Sequence, residues 1–206
     1  MSGLEFHNST HLADDRLRLL CRDAVDGWSI GRAAVRFRYS RGADFSGACY
    51  YRNRRIFVNI GRHVVYPYRM GTHVGRSKTV GRFWCKPRYF VELADGYQLA
   101  MFVFVHELYH LLVKRARRNT RLKESMCDRF ATRFILAHFG GHVRTEEGIP
   151  VPREDWDFQD LTGFVAAARG RTIQSRTKRP LSMAAGKPAI TTAPQICLGD
   201  QLWLFQ

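Results

Sequence analysis

The amino-acid sequence predicts a single α+β domain over residues 1–170, followed by a disordered basic tail over residues 171–206. A long apolar run over residues 98–113 and an apolar stripe over residues 121–139 predict two helices. Shorter segments before residue 61 alternate apolar and polar residues, as half-buried strands do. The tail is rich in Arg, Lys, Ser, Thr, Pro and Ala and has no periodicity, which is typical of a chain that cannot bury a core.

The first third of the chain predicts one helix and three strands. Residues 1–12 are expected to be loose, and apolar residues at helical spacing predict a helix over 13–28. The alternation of apolar and basic residues over 34–39 predicts a half-buried strand. Two further strands, separated by Arg-Asn-Arg, predict a β-hairpin, with its arms at 48–51 and 55–60.

Residues 61–91 contain many Gly and Pro residues, so we predict an irregular insertion with one short strand at 88–93. The helix over 121–139 is expected to be capped by Asn119 or Thr120 and to end at Gly140-Gly141. The acidic opening of the segment 143–170 predicts a short helix that packs beneath the longer ones.

Composition limits the compartment and the partners of the protein. The formal net charge is +15 and the isoelectric point is about 10.2, which favours an anionic partner. The five Cys residues include no C-x-x-C pair, so neither a disulfide framework nor a Cys-type zinc site is indicated, and a reducing cytoplasm fits best. The sequence shows neither a signal peptide nor a membrane span.

The central feature of the sequence is His106-Glu107-Leu108-Tyr109-His110, an H-E-x-x-H motif inside the apolar run. Asp95 and Gln98 predict a capped start for this helix. Because His106 and His110 are four residues apart, both imidazoles project from one face and can share a tetrahedral Zn²⁺. Glu107 lies about 100° round the helix, where it can act as general base toward a water on the metal without being a ligand.

A structural alternative for the motif is a satisfied His pair without metal, or a site that has lost its activity. Against it, three ionisable residues lie in an otherwise apolar helix. Burying them without a metal or partners would cost several kcal/mol.

The third metal ligand is predicted on the following helix. Glu124 and Asp128 fall one turn apart at the border of its apolar stripe, where a carboxylate is costly unless it meets a cation. We predict Glu124 as the ligand and Asp128 as the residue that hydrogen-bonds to a ligand and orients it. His138 and His142 are weaker ligand candidates, and the alternative for Asp128 is a surface salt bridge to Arg121, Arg129 or Arg133.

The stretch from Phe45 to Val91 contains ten Arg or Lys residues and no acidic residue, and aromatic residues are interleaved with the cations. Cations can neutralise phosphates while aromatic rings stack on unpaired bases, so we predict contact with DNA, single-stranded or at a junction. The alternative is a solvated basic surface whose aromatic rings point into the core. The predicted nucleic-acid-binding residues are Arg52, Arg54, Arg55, Arg62, Arg69, Arg76, Lys78, Arg82, Trp84, Lys86 and Arg88.

The motif and the segment Glu124-Ser-Met-Cys-Asp128-Arg-Phe-Ala131 resemble the ImmA/IrrE metallopeptidases, in which the corresponding Glu is the third zinc ligand. Cys127 and Asp128 stand where that pattern has Ala and Asn. The chain also resembles the SprT-like, or Spartan-like, DNA-dependent proteases, whose third ligand is usually His. Both resemblances imply a minimal zincin-like core: an N-terminal helix, a small antiparallel sheet, the H-E-x-x-H helix and a ligand helix. For a protease with this core, we expect Arg55–Ile60 to be the edge strand with which a substrate peptide pairs.

The last residues, Q-L-W-L-F-Q, are similar to the peptide by which many bacterial replication and repair proteins bind the β sliding clamp. The resemblance implies that Leu204 and Phe205 fill an apolar pocket and that the Gln makes hydrogen bonds. The alternative is a C-terminal strand or apolar plug that packs on the domain itself. The predicted clamp-binding residues are Gln201, Leu202, Leu204 and Phe205.

Together these patterns predict a cytoplasmic, nucleoid-associated zinc metalloprotease that acts on DNA-associated proteins, including DNA–protein crosslinks, and is tethered to the clamp. Its partners are expected to be DNA, the clamp and a protein substrate, without a membrane. Two alternatives stay open: an ImmA/IrrE-like protease that cleaves a transcriptional repressor, and a non-catalytic protein that binds DNA and clamp.

Overall fold

A computed structural model describes residues 4–121 and 123–166, and within them it confirms the mixed α+β class. The predicted tail over 171–206, with its clamp-binding residues, lies outside the described residues. The strands are β1 (Leu4–Asn8), β2 (Ala33–Tyr39), β3 (Phe45–Tyr50), β4 (Arg55–Ile60), β5 (Tyr68–Thr72), β6 (Lys78–Val80), β7 (Phe83–Cys85), β8 (Tyr89–Leu93) and β9 (Val143–Arg144). The helices are α1 (Asp14–Val25), α2 (Gly96–Arg115), α3 (Glu124–Phe139), α4 (Arg153–Trp156) and α5 (Leu161–Ala166).

The largest sheet has the strand order β1-β2-β4-β3. The predicted hairpin is confirmed, because β3 and β4 pair antiparallel. The expectation of an antiparallel sheet is wrong, because β2 pairs parallel with both β1 and β4. The choice of β4 as edge strand is also wrong: β4 lies between β2 and β3, which leaves β3 at the edge. Hairpin signals are local, but the position of a hairpin within a sheet depends on distant pairing.

The N-terminal residues are not loose as far as the structure describes them, because β1 pairs with β2 from Leu4↔Ala33 to Asn8↔Phe37. The ring of Phe6 lies 5.6 Å from that of Phe37, which is fully buried. Leu4 and Phe6 alternate with polar residues, so a short strand signal was present in the sequence and was missed. With α1 as the crossover, β1 and β2 form a βαβ unit at the edge opposite β3.

Helix α2 lies at the centre of the molecule and is buried on nearly every side, as its apolar sequence predicts. The predicted capped start is confirmed: Asp95 Oδ1 accepts a hydrogen bond from Gln98 N (2.9 Å), and Gln98 Oε1 accepts one from Ala94 N (2.9 Å). The helix packs against β3 and β4 and against α3. Tyr109, at 0 % exposure, donates a hydrogen bond from its hydroxyl to Leu161 O in α5.

Helix α3 begins later than predicted, at Glu124 after the N-cap Lys123. Asn119 Oδ1 accepts a hydrogen bond from Arg121 N, so this side chain closes a turn instead of capping the helix. The predicted end at Gly140 is confirmed, with a φ of 76° that favours glycine. The late start places Glu124 in the first helical turn.

The segment 61–91 is more regular than its glycines and prolines predict. The predicted strand is present as β8, and it pairs with β5 and β9 in a second sheet. Strands β6 and β7 form a separate hairpin. After α3, the chain forms two short helices, α4 and α5, where one was predicted within the segment 143–170, and the last four residues of that segment lie outside the described residues. Among the described helices, none is long and apolar enough to cross a bilayer.

Candidate metal centre

His106 and His110 lie one turn apart on α2, as their spacing predicts. Their ring centroids are 5.0 Å apart and their Nε2 atoms are 3.2 Å apart. Both side chains are nearly buried, at 12 % and 10 % exposure. Two imidazole nitrogens therefore point at the same small volume from one helix.

Glu124 reaches the same volume from the first turn of α3. Its Oε2 atom lies 3.1 Å from His106 Nε2, and its Oε1 atom lies 3.4 Å from His110 Nε2. Ligands about 2.0–2.1 Å from a tetrahedral zinc ion are separated from each other by about 3.3 Å. The two imidazole nitrogens are separated by a distance of this size, and each has one oxygen of the Glu124 carboxylate at a similar distance.

Cys127 is a second possible third donor. The donor atoms of His106, His110 and Cys127 lie within 4.8 Å of one another, and this group could hold a metal ion. We favour Glu124 over Cys127 because its separations are those of a coordination sphere. Burial also raises the pKa of the Cys127 thiol, which disfavours the thiolate that a metal needs. By contrast, interactions with His106 and His110 hold the pKa of Glu124 well below its usual range.

Asp128, one turn beyond Glu124, connects His106 to a loop. Its Oδ1 atom accepts a hydrogen bond from His106 Nδ1 (2.9 Å), and its Oδ2 atom accepts one from His73 N (2.7 Å). The alternative surface salt bridge does not hold: Asp128 is buried, and its hydrogen-bond partners are the two histidines. A carboxylate on Nδ1 fixes the orientation of the His106 ring, so that Nε2 faces Glu124 and His110.

The electrostatic environment of His106 favours positive charge. Burial lowers the pKa of His106, but hydrogen bonds to Asp128 and Glu124 outweigh burial and raise it to about 10. An imidazole surrounded by carboxylates holds a proton in the absence of another cation. The same carboxylates would favour a divalent ion among these donors.

The carboxyl group of Glu107 lies against strand β3. A Cβ atom added to Gly47 would come within 2.4 Å of Glu107 Oε1 and 2.9 Å of Val103 Cγ1. The carboxyl group therefore occupies space that exists only because position 47 has no side chain. Burial raises the pKa of Glu107, which brings this carboxyl group closer to the range of a general base at neutral pH.

Substitution of Gly47 by Ala is expected to displace the Glu107 carboxylate and to lower any activity that depends on it by about 100-fold, because misplacement by about 1 Å has effects of this size. Metal content should not change, because the atoms nearest to a Cβ at position 47 belong to Glu107 and Val103, neither of which is a metal donor in this assignment. The measurement is a cleavage rate together with metal analysis of the purified protein. Ala48→Ser is the matched control, because it adds one atom on the opposite face of β3. Full activity of Gly47→Ala would show that the carboxylate does not need its present position.

The weaker ligand candidates are not brought to the centre. His138 lies fourteen residues beyond Glu124 on the same helix, a rise of about 21 Å. Its Nδ1 atom bonds to Phe134 O, and both His138 and His142 are exposed.

The eleven residues predicted to bind nucleic acid are all exposed, but they fall on separate elements. One group lies at the turn into β4 and comprises Arg52, Arg54 and Arg55, and another stacks on Phe90 and comprises Arg69 and Arg88. Arg62 lies over Tyr39, and Arg76 lies over Phe158. The remaining residues lie on or beside the β6–β7 hairpin and comprise Lys78, Arg82, Trp84 and Lys86.

Sequence reasoning missed His73, Gly47 and Cys127. His73 lies 55 residues from Asp128, and a lone His in a glycine-rich loop gives no signal. Gly47 stands inside a strand, where a glycine can mark a close approach by another group. Cys127 lies three residues after Glu124, so its helical spacing was the available signal.

Comparisons with models of known protein families, with curated proteins and with solved structures find no match to this chain. The inferences below therefore depend on the geometry and chemistry of the chain itself.

Proposed function

We propose that this protein is a zinc-dependent metallopeptidase built on a zincin-like core. The observation that carries the proposal is the convergence of His106 Nε2, His110 Nε2 and the Glu124 carboxylate at separations of 3.1–3.4 Å. The residues fit zinc because the donor set is two imidazoles and one carboxylate, which is a combination found in catalytic zinc sites that keep one position open. The Glu124 side chain is 54 % exposed, so the group is reachable from solvent.

In this proposal His106, His110 and Glu124 hold the ion, and Asp128 fixes the orientation of His106 through Nδ1. A bound Zn²⁺ supplies Lewis acidity, which activates water and polarises a carbonyl group. Glu107 accepts the proton from the attacking water at its carboxylate and passes it to the leaving amine nitrogen. Gly47 leaves the space that this carboxylate occupies.

The substrate peptide is proposed to pair with β3. This strand lies at the edge of its sheet and its Gly47 contacts Glu107, so a peptide added along it would lie close to the catalytic groups. Edge pairing gives main-chain hydrogen bonds that do not depend on substrate sequence.

We further propose that the substrates are DNA-associated proteins and that single-stranded DNA binds the β6–β7 hairpin. Phe83 and Trp84 are large aromatic residues at 47 % and 55 % exposure, which suits stacking on unpaired bases. Lys78, Arg82 and Lys86 supply positive charge beside them. Lys86 Nζ contacts Ser125 Oγ, next to Glu124, so DNA held there would lie beside the metal centre.

Zinc-dependent proteolysis that single-stranded DNA accelerates would support this proposal. The experiment incubates the purified protein with casein and zinc, with and without a chelator and a DNA oligonucleotide. We expect the chelator to abolish cleavage, zinc to restore it, and DNA to increase its rate severalfold. Trp84→Ala should lose the DNA effect and keep the zinc dependence, because stacking contributes about 1–3 kcal/mol per base.

Other outcomes would favour the alternatives. Cleavage that DNA does not change, restricted to one bond of a repressor, would support an ImmA/IrrE-like role. Absence of cleavage under all conditions, with DNA bound, would support a binding protein. The clamp-binding peptide stays a prediction, which a pull-down of the clamp with the Leu204→Ala/Phe205→Ala variant would test.

A further inference from the structure

An open pocket of about 680 Å³ lies where β3 turns toward β4. Two tyrosines and two cations dominate its lining, and Tyr50 is 56 % exposed. The lining residues are Cys49, Tyr50, Tyr51, Arg52, Asn53 and Lys114. Only Lys114 comes from outside the hairpin, from the last turn of α2.

The pocket can be placed relative to Glu107 by counting residues along α2 and along β3, the two elements that form it. Lys114 follows Glu107 by seven residues, which is almost two helical turns, so both side chains leave the same face of α2 about 10 Å apart. Along β3, Cys49 lies two residues beyond Gly47 on the face that meets Glu107. Tyr50 lies three residues beyond Gly47, about 10 Å along the backbone, with its side chain on the opposite face. A peptide extended along β3 would therefore reach the pocket about three residues from the bond beside Glu107.

The chemistry of the pocket favours an anion. Arg52 and Lys114 carry positive charge, and the lining includes no carboxylate. Lys114 Nζ lies 5.9 Å from the ring centroid of Tyr51, so the ammonium group lies near the pocket wall. Burial is the main cause that raises the pKa of Tyr51 to about 12, so its hydroxyl stays neutral at physiological pH. Arg52, Lys114 and Asn53 can all donate hydrogen bonds to a carboxylate.

We propose that this pocket is a specificity subsite that receives an Asp or Glu side chain of the substrate, about three residues from the cleaved bond. The proposal deepens the peptidase function and rests on it. A peptide is favoured over nucleic acid because the distance from Glu107 matches an extended peptide paired with β3. The exposed aromatic rings of Phe83 and Trp84, which suit base stacking, lie on a different element.

Cleavage-site profiling of a mixed peptide library tests the subsite. The wild-type protein should prefer acidic over neutral residues at one position, about three residues from the cleaved bond, by roughly fivefold, as expected for partly exposed ion pairs. Arg52→Glu and Lys114→Glu should reverse the preference toward Lys or Arg at that position. The matched control is Arg41→Glu, which makes the same charge change before the other end of β3 and should leave the preference intact.

The subsite proposal would be overturned if the wild-type protein showed no preference for acidic residues at that position, or if neither variant changed the preference. The peptidase proposal would not be affected by either result. Loss of DNA stimulation in both variants, with an unchanged peptide profile, would assign the pocket to nucleic acid and overturn the proposal. If the wild-type protein cleaves nothing, the peptidase proposal fails separately. In that case, fluorescence anisotropy measures the binding of an acidic and a neutral peptide to the wild-type protein and to Lys114→Glu. The subsite proposal requires Lys114→Glu to weaken binding of the acidic peptide severalfold, and unchanged binding would overturn it.

Discussion

Replacement of Glu107 by Gln is expected to abolish peptide-bond cleavage and to leave zinc binding intact. Gln has nearly the same shape as Glu and can occupy the space over Gly47, but its amide cannot accept the proton that the reaction must remove. Glu107 is not among the residues that converge on the metal position, so the donors are unchanged. The expected loss in kcat/KM is about 10³-fold.

The measurement combines the cleavage rate of a quenched fluorescent protein substrate with metal analysis of the same preparation. About one zinc ion per chain should remain in the variant. Glu147→Gln is the matched control, because Glu147 is an exposed acid in the loop after β9. Undiminished cleavage by Glu107→Gln would rule out its role as general base, and loss of zinc would instead make it a ligand.

Removal of the Glu124 carboxylate by an Ala substitution is expected to release the metal. Small zinc domains with four ligands bind zinc with an apparent free energy of about 10–16 kcal/mol, which is about 3 kcal/mol for each ligand. Loss of one donor should therefore weaken binding by about 3 kcal/mol, or at least 100-fold in Kd. Proteolysis should disappear with the metal, and the melting temperature should cease to rise when zinc is added.

Cys127→Ala is the decisive comparison, because Cys127 is the other candidate for third donor. If Glu124 is the ligand, Cys127→Ala keeps its zinc and loses only the stability that comes with a small gap in the core. Competition with a chromogenic chelator gives the zinc affinity of both variants. Retention of metal by Glu124→Ala together with its loss from Cys127→Ala would exchange the two assignments.

The contrast between His106 and His73 illustrates what could be predicted for the site. The faces of α2 follow from the order of its own residues, so the convergence of His106 and His110 was predictable. The loop that carries His73 meets Asp128 only because β5 and β8 bring distant segments beside α3. A pattern in the neighbouring sequence cannot encode such a contact.

The sequence by itself determined the central helix, its Asp95 cap, the β3–β4 hairpin and the pair of imidazoles, because each depends on residues within a few positions of one another. Only the tertiary structure decided that β3 rather than β4 forms the edge, that Gly47 makes room for Glu107, and how close the carboxylate of Glu124, predicted as a ligand, comes to the two histidines. These features require segments tens of residues apart to meet, and the pairing and packing energies that bring them together are properties of the whole fold.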